Sequence, residues 1–198
     1  MIKQIVVGLS TIGILAVSSV LGKAATDLTV VDSAALGTQR NLPWSEPVQI
    51  DDPFEGSFIG VFDRHSFHER FLDTQAQIEV QSLWSQEFIR FLSIVRDRDC
   101  LSHLIGTVST HNCTEFNNAR NITELFIRIE DQVFQVSGQN STFLVSRELA
   151  EALQNASEEE IGIRLVTENG ETIDSEIGED TVTAWKTVYQ SQDVSSSY

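Results

Sequence analysis

Positive charge is scarce in this sequence: 13 Lys and Arg stand against 29 Asp and Glu, for a formal net charge of −16 at pH 7. A field of that sign repels phosphate backbones and anionic lipid, which argues against nucleic acid and membrane surfaces as partners. Proline is also rare, and the three residues, Pro43, Pro47 and Pro53, all precede residue 58. The rest of the chain is therefore neither proline-rich nor low in complexity. Two cysteines, Cys100 and Cys113, are too few for a disulfide-dense scaffold, and no CxxC pair is present. Nucleophile elbows, phosphate-binding glycine loops and dinucleotide fingerprints are missing as well. No reaction class is announced, so a non-enzymatic role is favoured and no cofactor is expected.

What is there describes one ordinary folded unit. With 198 residues, 41% hydrophobic and 21% charged, the chain has length and apolar content for a single core. The one long uncharged run, Ile5 to Leu21, follows Lys3 and is closed by Gly22-Lys23-Ala24, the layout of a signal peptide cut after Ala24. Its removal takes away Lys3 and Lys23 and no acid, moving the net charge from −16 to −18. The alternative is an uncleaved anchor, the one route by which a membrane would become a partner. An exported chain meets oxidising surroundings, where Cys100 and Cys113 would form a disulfide. Closing a loop of ~14 residues stabilises by roughly 3 kcal/mol in the chain-entropy model.

The chain divides into a signal peptide (1–24), an extended leader (25–57) on which Trp44 or Phe54 can dock, a globular domain (58–190) and a Ser-rich, disordered tail (191–198). Phe67 and Phe71 lie one helical turn apart after Asp63, predicting a helix near 64–73. Trp84, Phe88, Phe91, Leu92 and Val95 repeat at spacings of three and four, predicting a longer helix near 81–97. Leu125 to Val136 alternates like a hairpin, with Asp131-Gln132 as the turn and Ile129 facing Phe134. Ser146 caps a helix whose face is Leu149, Ala152 and Leu153.

A second hairpin surrounds Asn169-Gly170. A two-residue loop would set Ile163 against Glu176 and Leu165 against Asp174, putting apolar residues on opposite faces. A three-residue loop, Glu168-Asn169-Gly170 with the glycine left-handed, pairs Leu165 with Ile173 and Ile161 with Ile177. It also sets Arg164 against Asp174. Thr181 to Tyr189 is expected as a helix capped by Asp180, its strand-like composition notwithstanding. The expected architecture is α+β: one small domain whose two hairpins form an antiparallel sheet packed against two to four helices.

Between Glu124 and Tyr189 the runs SRELAEALQNA, IRLVTENGETIDSEIG and TVTAWKTVY resemble a group of small exported cyanobacterial proteins of no assigned activity. The resemblance covers the C-terminal third and brings no site residues with it. It implies a bacterial cell envelope, with periplasm, thylakoid lumen or exterior as destination.

Three constellations carry candidate chemistry. Cys100-x-x-His103 and His111-x-Cys113 have the ligand types of a structural zinc, against which stands the plain disulfide. His65 and His68, on the first expected helix, would share one face and could hold a metal, although the order matches no zinc-peptidase motif. Glu158-Glu159-Glu160 and Asp174, Glu176, Glu179, Asp180 could bind Ca²⁺ weakly, without the ligand pattern of an EF-hand loop. The leading expectation is an exported acidic envelope protein that binds a protein, glycan or small ligand through its sheet face or hairpin loops. A small hydrolase using His65, His68, His103 or His111 and a weak Ca²⁺-binding protein are the alternatives.

Overall fold

The computed structural model describes residues 28–37, 41–71, 74–105 and 108–190, with backbone alone at 69–71, 74–75, 97–105 and 108–116. The expected signal segment 1–24 and the tail 191–198 lie outside the described residues. The first strands are β1 (Thr29–Val31), β2 (Pro47–Asp52), β3 (Gly56–Phe71), β4 (Thr74–Ser85), β5 (Phe88–Ile105) and β6 (Val108–Arg120). After them come β7 (Ile122–Ile129), β8 (Gln132–Ser137), β9 (Thr142–Leu144) and helix α1 (Arg147–Gln154). The described chain ends with β10 (Ile161–Thr167), β11 (Thr172–Ile177) and helix α2 (Glu179–Val188).

Strands β1 to β6 lie side by side in chain order, and β9 joins the outer side of β5, completing a seven-stranded sheet. Only β1 with β2 is parallel among its strand ladders. A second sheet has four antiparallel strands in the order β11, β10, β7, β8. Between the sheets lies one core to which both contribute, together with Leu149 and Leu153 of α1 and Val182, Trp185 and Val188 of α2. Trp84 and Trp185 meet there with ring centroids 4.6 Å apart. Among the described residues the architecture is thus a β-sandwich with two helices, which corrects the expected α+β domain of one sheet against two to four helices.

Both helices expected between 64 and 97 are strands, and for the longer one the burial of its residues gives the physical reason. In β4 and β5 one face (Ile78, Val80, Trp84, Ile89, Phe91, Val95) enters the main core, and the opposite face is covered too. There Leu83 joins a second cluster with Ala34, Leu42, Val48, Ile50 and Phe62. Apolar residues on both faces of a strand superpose two period-two patterns, and the sum mimics the three-and-four spacing of a helix. The misleading run Trp84 to Val95 is a hairpin: Ser85 Oγ bonds both the carbonyl and the N–H of Phe88, at 2.8 and 3.1 Å, around the exposed pair Gln86-Glu87.

The stretch expected as a leader supplies β1 and β2 to the larger sheet. Trp44 meets Phe62 edge-on at 6.4 Å, whereas Phe54 stays 95% exposed. Asp52 closes this layer by accepting the N–H of Ala34, at 2.8 Å, and of Phe54, at 2.8 Å, and these bonds hold its carboxyl below the ordinary range.

The C-terminal third follows its alternation more closely. Leu165 pairs with Ile173, Ile161 with Ile177 and Arg164 with Asp174, the register of the three-residue loop, and Gly170 has φ +78°. In the β7–β8 hairpin the turn falls one residue earlier than expected, on Glu130 and Asp131. Ile127, not Ile129, therefore faces Phe134, a slip of two that leaves the same residues on the inner face. Ser146 Oγ accepts the Leu149 N–H at 3.2 Å, as an N-cap does. Helix α2 forms, but Gly178 rather than Asp180 is its N-cap residue.

Candidate functional site

In β7, β10 and β11 alternate residues turn inward: Leu125, Ile127, Ile129, Ile161, Ile163, Leu165, Ile173 and Ile177 are buried. Their neighbours Phe126, Arg128, Gly162, Arg164, Asp174 and Glu176 remain on the outer face, since a strand sends successive side chains to opposite sides. Among the described residues no helix covers this face. With Val133 of β8, itself 59% exposed, these residues line a cleft of about 450 Å³, and His65 of β3 stands beside β11 at its margin.

Gly162 gives the cleft its depth. A Cβ there would come 3.7 Å from Arg128 Nη2, so the guanidinium lies over bare backbone. Arg164 makes a two-pronged bond to Asp174, Nε to Oδ1 at 2.6 Å and Nη2 to Oδ2 at 2.8 Å, which holds the Asp174 carboxyl below its ordinary range. Glu160 and Glu176 are hydrogen-bonded to each other, and that bond, more than their mutual repulsion, raises the Glu160 pKa. Arg128 makes no ion pair among the described residues. The cleft therefore combines an apolar part, Phe126 and Val133, with one guanidinium that the described carboxylates leave to other partners.

His65 joins the two sheets. Its Nδ1 accepts the Glu176 backbone N–H at 3.3 Å and lies 3.0 Å from Ser175 Oγ. A backbone N–H can only donate, so in that contact the ring nitrogen accepts. A hydroxyl beside an accepting imidazole nitrogen is the contact of an activated nucleophile. Ser175, however, is only 5% exposed, and the same nitrogen is shared with a main-chain donor at the edge of β11. The arrangement serves as a seam between sheets.

Beside this seam Asp63 is buried at the start of α2. It accepts from Thr181 Oγ1 at 2.6 Å and from the Gly178 N–H, and Thr181 in turn lies 2.9 Å from Ser45 Oγ. A carboxylate from β3 thus caps a helix whose own N-cap is glycine. Burial raises the Asp63 pKa, opposed by the Thr181 hydroxyl, the Gly178 N–H and the nearby His65.

His65 and His68 are not brought together. His65 and His68 were expected on one helical face; in strand β3 they lie on opposite faces, His65 toward β11 and His68 exposed on the other side. His103 and His111 belong to β5 and β6, where side chains lie outside the described residues. Their backbone register places His111 on the same face of the ladder as Cys100 and Cys113, and His103 on the other. The four ligands of the zinc expectation are therefore not brought to one side. Among the described residues no group of three or more His, Cys, Asp or Glu is disposed to hold a metal ion. Of the acids considered for Ca²⁺, Glu158 pairs with Lys186 and Asp174 with Arg164.

Sequence reasoning found Arg164 and Asp174 but missed Phe126, Arg128, Val133 and Gly162. The available signal was an apolar residue at an outward position of an otherwise clean alternation, at Phe126 and again at Val133. Among the described residues no helix is long and apolar enough to cross a membrane. No protein-family model, curated protein or solved structure matches the chain.

Proposed function

We propose that the protein is an exported, acidic, non-enzymatic binding module of a bacterial cell envelope, and that the uncovered face of its smaller sheet is the binding surface. The observation that carries this reading is the cleft at Gly162, where apolar surface adjoins the Arg128 guanidinium. Pockets for small molecules are apolar with a few placed polar groups, and a cation in a chain of net charge −16 has ample carboxylates to pair with unless its position forbids it. The ligand class that fits is a small apolar body bearing a carboxylate, such as an acylated hydrophobic amino acid or a peptide C-terminus. Export is supported by the uncharged run Ile5 to Leu21 and by the resemblance of the C-terminal third.

The test is a titration of the ¹⁵N-labelled mature chain with N-acetylphenylalanine and, separately, with its amide. Saturable shifts at Phe126, Arg128 and Gly162 that are stronger for the acid support the reading. Shifts that fail to saturate at millimolar ligand, or that fall elsewhere, contradict it.

A further inference from the structure

Strand β5 continues well past the body of the sheet. Its pairing with β4 ends at Gln77–Arg96, while its pairing with β6 runs on from Asp97–Phe116 to Ile105–Val108. Beyond Arg96 the ladder is thus a two-stranded arm of roughly 30 Å, at ~3.3 Å per residue. A lone hairpin is marginal in water, since each strand has hydrogen-bonded neighbours on one side only.

The register shows what could hold it. Cys100 and Cys113 are direct partners in the ladder. Opposed positions in an antiparallel pair have Cα atoms about 4.5 or 5.5 Å apart, depending on the hydrogen-bonding class, and both spacings fall within disulfide reach. The cysteine positions share their face with the pairs Arg98–Glu115, Ser102–His111 and Leu104–Ser109, so Leu104 is the one apolar residue among them. Leu101, Ile105, Val108 and Phe116 all occupy the other face. The face with the fewer apolar positions is the face that holds both cysteine positions.

We propose that Cys100 and Cys113 form a cross-strand disulfide that pins the β5–β6 arm in register. The two thiols lose two protons and two electrons to a disulfide-bearing thiol oxidant, which leaves as two reduced thiols while the new S–S bond forms. The bridge constrains the turn end of the arm and keeps a one-residue slip from exchanging its faces. This inference shares with the proposed function an oxidising destination, but it does not depend on the cleft.

The experiment uses the full mature chain isolated without reductant. Export is read separately, from whether its N-terminus is Ala25. Alkylation before reduction should label neither cysteine, alkylation after reduction should label both, and peptide mass mapping should recover Cys100 linked to Cys113. Adding dithiothreitol, with the fold monitored by near-UV circular dichroism, should accelerate proteolytic cleavage within 97–116 at least ~10-fold while the body stays folded. Two thiols that label before reduction overturn the proposal even if Ala25 is the N-terminus. Thiols released by a chelator instead of a reductant overturn it in favour of a metal, and cleavage in the arm that reductant leaves unchanged overturns the pinning role.

Discussion

The two sheets of this protein differ in how many of their faces are covered. In the larger sheet, strands β3 to β5 pack on the main core with one side, and with the other they share a second cluster with Ala34, Leu42 and the β2 residues Val48 and Ile50. In the smaller sheet, β7, β10 and β11 bury one face and leave the other to solvent. A sheet covered on both sides stabilises the fold and has little surface to offer a partner. One covered on a single side keeps a rigid, pre-formed surface whose residues can change without loss of core. The cleft at Gly162 lies on that second kind of surface, and the reading of function follows from it.

Substitutions should separate the two sheets. The largest effect is expected where α2 and the larger sheet share aromatic packing: Trp185→Ala should cost about 3–5 kcal/mol in denaturant unfolding. Phe126→Ser on the open face should cost less than half as much. Equal losses would erase the distinction. Leu83→Ala probes the second covered face and should cost about 2–5 kcal/mol. A loss well under 1 kcal/mol would mean that the N-terminal segment does not seal that side.

Next in size is Asp63, whose replacement by Ala leaves the Thr181 hydroxyl and the Gly178 N–H without their acceptor. A cost of about 1–3 kcal/mol is expected. Its titration has a definite sign. Because burial raises the folded pKa above the ordinary 3.8, the folded chain binds this proton more tightly than the unfolded one. The resulting stability is fully present below 3.8 and is lost as pH rises through the raised value. Relative to Asp63→Asn, the natural chain should therefore gain stability on going from about pH 7 to about pH 4. A relative loss over that window would show that hydrogen bonding to the carboxylate outweighs its burial.

Smaller still is Arg164→Ala. The pair with Asp174 is well aligned, yet its side chains are 56% and 65% exposed, so a loss of only ~0.2–1 kcal/mol is expected in unfolding measurements. Arg128→Ala should leave stability within ~0.5 kcal/mol and weaken binding of N-acetylphenylalanine by at least ~10-fold. Affinity that survives this change would move the carboxylate site away from Arg128.

The same contrast decides what could be read from the sequence. Where one face is wet, alternation is clean, and the β10–β11 register followed from asking which loop keeps Leu165, Ile173, Ile161 and Ile177 on one side. Where both faces are dry, as at Phe88, Ile89, Phe91 and Leu92, a strand shows no polar side and its spacing imitates a helix. The histidine pair failed with it, because His65 and His68 share a face only at helical periodicity. Asp63 precedes the helix expected near 64–73, yet it serves the start of α2, more than a hundred residues away, where no local pattern points. The cleft was half legible. Arg164 and Asp174 follow from register, whereas Arg128 and Gly162 acquire meaning only when β7 and β10 are neighbours.

The contrast between the sheets is tested most directly by paramagnetic attenuation of the ¹⁵N-labelled mature chain with a soluble gadolinium chelate. Strong attenuation is expected at Arg128, Gly162, Arg164 and Asp174, with protection at Gln81 and Leu83 on the far side of β4. Attenuation at Gln81 and Leu83 matching that at Gly162, or protection at Gly162, would contradict the account.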